Sequence, residues 1–252
     1  MRDVLSPLPQ TLIPESRYRL GRGLPEAALE FLRQQAAKVR AVGAAVRPWH
    51  YWELHNPWSR AATVYDSWGF LDLCQTPALL DPVAELIGPD IVLFDSAWLP
   101  DHSLTGSAGT DTAGLELSSD APRFPVEPLG GATVLVAFAE ETHDGLTVDV
   151  GSTRLPFRSG VVWALEARVA YRVCGLDEAG LPSVYVVRYF PGTARYLRDP
   201  ALAVHRDLTE RYPLLNYARL PLWQVRGEDR AENDFVTGFS VRAAYWSTTA
   251  GP

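Results

Sequence analysis

The chain has 252 residues, 47% of them hydrophobic, and a formal net charge of -7 at pH 7. That length can bury one large core, and an all-β barrel commonly fills it as a single unit, expected here over 1–252. The acidic balance excludes a nucleic-acid backbone or an anionic membrane surface as partner, because both need clustered Lys and Arg. Cys74 and Cys174 are too few for a disulfide scaffold and are expected as buried free thiols in a reducing, cytoplasmic setting. No stretch approaches the roughly 20 apolar residues of a membrane span. An aromatic content of 11% suits a lined cavity for a small, largely apolar molecule.

Residues 1–90 read as an extended arm followed by helices. Met1–Arg22 carries prolines and little periodicity. Pro25–Val42 has apolar residues at Ala28, Leu29, Leu32, Ala36 and Val39, the stripe of an amphipathic helix that begins on a proline and ends before Gly43. Arg47–Arg60 (RPWHYWELHNPWSR) is an aromatic loop with His50 and His55. Helices follow at Ser67–Gln75 and Pro77–Ile87, the latter with Thr76 as its expected N-cap and Gly88-Pro89 as its stop.

Residues 91–190 change to a strand period. Ile91–Trp98 comes first, then a polar Gly/Ser/Thr-rich connection over Pro100–Ala121. Ala132–Ala139, Leu146–Val150, Val161–Glu166, Val169–Cys174 and Ser183–Phe190 follow, punctuated by turns at Asp144-Gly145 and Val150-Gly151. Residues 191–252 read as a helix over Pro200–Tyr212, a charged loop over Arg226–Asp234 and a closing strand over Phe235–Trp246. Helices first, then many short strands, indicate a mainly β (α+β) domain with helices packed on one face.

Alternation along the strands sorts the polar candidates. Tyr171 shares a face with Val169 and Val173, and Arg188 shares one with Val184 and Val186. Arg188 is a candidate anchor for a carboxylate, with Arg168 behind it. Asp111 is a candidate acid or base and Tyr171 a proton or hydrogen-bond donor. Trp52, Trp58, Trp98, His55 and His102 are candidates for substrate contact, and Trp163 for the core. His143 falls in a turn. His205 falls on the C-terminal helix pattern, as a surface residue.

The segment His55, Asn56, Trp58, the helix-to-strand run TPALLDPVAELIGPDIVLF and the stretch ATVLVAFAEETHDGLTVDVGSTR resemble the phytanoyl-CoA dioxygenase family over Leu54–Pro191. The resemblance implies a double-stranded β-helix (jelly-roll, cupin-like) core and an iron(II)- and 2-oxoglutarate-dependent site. Such a site needs two histidines and a carboxylate on one face of the metal. By the same resemblance, Gly109 of SAGTDTA stands at the first histidine, Asp111 keeps the carboxylate and Tyr171 stands at the distal histidine. The region of the 2-oxoglutarate arginine reads Gly180-Leu181-Pro182-Ser183. The expectation is therefore a small-molecule enzyme of specialised (natural-product) metabolism that has lost its iron site and uses no cofactor. It would perform cyclisation, isomerisation or dehydration with Asp111 and Tyr171. The alternatives are an Fe(II)/2-oxoglutarate hydroxylase with Asp111 and His102 as metal ligands, and a non-catalytic small-molecule-binding module.

Overall fold

The structure, a computed structural model, describes residues 17–42, 50–99, 124–138, 146–176, 182–203, 205–206 and 217–235. Helix α1 (Glu26–Val42) buries Leu29, Leu32, Ala36 and Val39, the stripe expected from its spacing. Its Arg33 Nε donates to the carbonyl of Phe138 at 3.1 Å, tying the helix to the sheet beneath. Helix α2 (Ser67–Cys74) starts on Asp66, whose carboxylate accepts the Gly69 N–H at 3.0 Å. Asp66→Ala should therefore cost about 1 kcal/mol of stability in a denaturant titration, the usual loss with an N-cap. Helix α3 (Pro77–Ile87) has the expected bounds. Thr76, however, makes no side-chain cap bond, because its hydroxyl donates backwards to the Leu73 carbonyl at 2.8 Å. Gly88, at φ 92°, takes the left-handed turn that ends α3.

Among the described residues the strands form a six-stranded sheet, a three-stranded sheet and one two-stranded pair. The large sheet is antiparallel, in the order β1 (Tyr18–Leu20), β7 (Val162–Glu166), β4 (Ala132–Ala137), β9 (Val184–Pro191), β2 (Ile91–Leu99), β11 (Trp223–Arg226). The small one runs β6 (Thr153–Pro156), β5 (Thr147–Val150), β8 (Tyr171–Cys174), and β3 (Val126–Glu127) pairs with β10 (Arg195–Tyr196). The architecture is mainly β with helices on one face, a jelly-roll.

The faces of the large sheet can be read from their partners. Tyr189 Oη donates to the Cys74 carbonyl at 2.8 Å, and the Tyr185 hydroxyl lies 3.2 Å from Cys74 Sγ. Trp98, paired with Tyr185, packs its ring 5.3 Å from that of Phe70. This face therefore looks at α2. The opposite face carries Val184, Val186 and Arg188, which stand across from Ala137, Leu135 and Thr133. Trp163 is on the same face, opposite Leu135, and its indole donates to the Pro156 carbonyl of the small sheet at 3.0 Å. The small sheet contributes Val148, Val150, Leu155, Tyr171 and Val173, all buried. The space between the two sheets is thus lined by alternate residues of both.

Several expectations are corrected here. Tyr18–Leu20, read as part of an arm, is an edge strand on β7. Thr153–Pro156 completes a hairpin with β5 across Gly151 and Ser152, a strand hidden by its Arg and Pro. The edge beside β2 is filled by Trp223–Arg226. The predicted closing strand lies outside the described residues beyond Phe235, as does most of the predicted C-terminal helix. His205 is buried rather than on the surface, its Nε2 2.7 Å from the Leu197 carbonyl. Cys174 is half-buried, whereas Cys74 is buried as expected. Among the described residues no helix is long and apolar enough to cross a membrane.

Candidate functional site

Strand β2 is buried along its whole length yet carries Asp95 and Ser96 at its centre. A bulge between Leu93 and Asp95 resets the alternation. Leu93 stands opposite Tyr189 on the helix side, whereas Asp95 stands opposite Arg188 on the inner side. Arg188 Nη1 donates to Asp95 Oδ2 at 2.6 Å, with the two side chains only 5% and 1% exposed. The Arg188 guanidinium also lies over the Trp52 ring, 5.2 Å from its centroid. Trp52 reaches this face because it bridges Ala97, the inner-facing residue beside Asp95.

Glu53 joins the pair through a backbone irregularity. Its φ of 55° is left-handed, which a residue with a Cβ rarely adopts, and it turns the chain within the segment that borders β2. Its side chain is buried, and Asn56 Nδ2 donates to its Oε2 at 3.3 Å. Burial, reinforced by the nearby Asp95 charge, pushes the Glu53 carboxyl up to about 7. Burial raises Asp95 to about 6 although the Arg188 guanidinium opposes the shift, so the ion pair persists at neutral pH. Besides Arg188, the backbone N–H groups of Ser96 and Glu53 favour the ionised Asp95 carboxylate. Two buried carboxyls thus act on one another, with Arg188 paired to Asp95 and Thr133 opposite Arg188.

On the helix side a second polar chain runs behind the sheet. Ser96 Oγ lies 2.8 Å from His55 Nδ1 and accepts the His55 backbone N–H at 3.0 Å. Burial alone lowers the His55 pKa to about 3, so its ring is neutral. Its Nε2 is buried without a hydrogen bond.

The site residues expected from sequence are therefore divided. Arg188 and Trp52 are together on the inner face, and Tyr171 lines the facing sheet. Arg188 is already engaged by Asp95, a partner not anticipated for a carboxylate anchor. His55 and Trp98 are on the helix side, packed into the core and away from Arg188. Trp58 is 65% exposed and stacks on Trp223 at 5.3 Å between centroids. Asp111 and His102 lie outside the described residues, as do Gly109 and His143. Asp95 and Glu53 escaped notice, although a signal for the first was present: an Asp-Ser pair inside a nine-residue strand otherwise free of polar groups.

No family model and no curated protein sequence matches the chain. Solved structures do. CytC3 superposes with a TM-score of 0.56 at 16% identity, covering 92% of this chain and 93% of that one. CytC3 with Fe(II) and alpha-ketoglutarate gives the same score and identity over 92% and 94%. The nickel complex of the non-heme monooxygenase ThoJ gives 0.54 at 16% identity, over 90% and 86%. At this identity the likeness establishes the fold, and the resemblance to phytanoyl-CoA dioxygenase-like enzymes holds at that level.

These matches overturn the expectation that the fold here works without a cofactor, since it holds Fe(II) with alpha-ketoglutarate in CytC3 and nickel in ThoJ. That expectation rested on the residues at two ligand positions, Gly109, which lies outside the described residues, and Tyr171 on β8. The described residues do not themselves fit the metal. Tyr171 stands where the resemblance implies a histidine, and among the described residues no group of three or more His, Cys, Asp or Glu is placed to hold an ion. No step through iron is derived from them.

Proposed function

We propose that the chain is a small-molecule-modifying enzyme of specialised (natural-product) metabolism, acting in the cytoplasm and in the space between its two sheets. One observation carries the reading. Among the described residues, an interior lined by Val, Leu and Ala holds one polar constellation on its large-sheet wall, Asp95–Arg188 with Thr133 and Glu53, and Tyr171 on the facing wall. Buried charge costs several kcal/mol per ion where apolar packing would cost none, so a fold retains it at a site of use. Apolar walls with few convergent polar groups suit a largely apolar ligand fixed at one end.

In this reading Arg188 holds Asp95 in place, the Tyr171 hydroxyl donates to or accepts from substrate, and Asp111 contributes a carboxylate from the connection after β2. The chemistry these groups serve is proton movement, as in isomerisation, cyclisation or dehydration. A second reading is favoured by the Fe(II) and alpha-ketoglutarate of CytC3: a 2-oxoglutarate-dependent hydroxylase with Asp111 and His102 among its iron ligands.

The test incubates the full chain with a panel of small metabolites, with and without Fe(II) and 2-oxoglutarate, and identifies products by mass. The expected result is product formation that falls at least tenfold in Tyr171→Phe. Consumption of 2-oxoglutarate in step with product, lost in Asp111→Ala, assigns the second reading. Tight binding of a metabolite with no product under either condition overturns both in favour of a binding module.

A further inference from the structure

We draw no further inference here: the strongest candidate, the surface cluster of Trp58, Trp68 and Trp223 where the 50–60 loop, the first turn of α2 and the start of β11 meet, is an exposed apolar patch, and nothing in the structure shows what covers it.

Discussion

Replacing Arg188 by methionine should lower the unfolding free energy by about 3–5 kcal/mol, the loss seen when one partner of a buried ion pair is removed. Met fills most of the volume, so the loss is electrostatic rather than a cavity. Asp95 is left inside the sheets with no cation and must either stay charged at high cost or bind a proton. The loss should therefore be largest at pH 8 and shrink towards pH 5, because without Arg188 the Asp95 carboxyl protonates above the value of about 6 that it has in the parent.

The double variant Asp95→Leu with Arg188→Met removes both charges, and most of the stability should return. The coupling energy of that cycle isolates the pair from its surroundings. The same double variant should be inactive. A folded, stable and inactive protein would show that the pair is retained for the site and not for the fold. Urea titrations monitored by tryptophan fluorescence check all three proteins, and a loss below about 1 kcal/mol in Arg188→Met would mean that the pair is solvated.

Arg188 shows how far alternation reaches. Counting by twos from Val184 places it on the inner face, because β9 is regular from Val184 to Tyr189. The same count fails on β2. There the bulge at Phe94 puts Leu93 and Asp95, two residues apart, on opposite faces. A bulge leaves no mark in the side-chain pattern when every residue of the strand is buried on both sides. His55, a candidate for substrate contact, is on the helix side for a related reason. A single left-handed residue, Glu53, lies between Trp52 on the inner face and His55 on the helix side, and no glycine announces it.

Helices α1, α2 and α3 were legible, since a stripe such as Leu29, Leu32, Ala36 and Val39 has one stable use. Edge strands were not: Tyr18–Leu20 and Trp223–Arg226 are too short to show a period, and their pairing is decided by the strands they meet. The site was legible only where a charged residue interrupted an apolar alternation. The carboxyls that complete it depend on backbone exceptions.

Glu53→Gln should leave stability unchanged at pH 5 and raise it by about 2–3 kcal/mol at pH 8. The sign follows from the direction of the shift. The Glu53 carboxyl is raised from 4.5 to about 7 in the folded chain, so the native state binds the extra proton between those values. Stability is then lost as pH rises through that window, at up to about 1.4 kcal/mol per unit. Asp95, raised from 3.8 to about 6, acts in the same sense over a lower window.

His55 opposes them. Its folded pKa is lowered from 6.5 to about 3, so the unfolded chain binds the proton and stability is lost as pH falls from 6.5. Between about pH 4.5 and 6 two carboxyls outweigh one imidazole, and these three groups together favour the more acidic end of that window. Below 3.8 only His55 remains, and stability falls with pH. A glutamine at 53 keeps the shape and the Asn56 contact while deleting one limb of this balance. The difference between Glu53→Gln and the parent, measured by urea denaturation from pH 5 to pH 8, cancels the titrating groups that Glu53 does not act on and leaves Glu53 with the Asp95 charge coupled to it. A flat difference would mean that Glu53 is solvated and ionises normally. A difference that grows with pH would show that the folded chain holds a proton at Glu53.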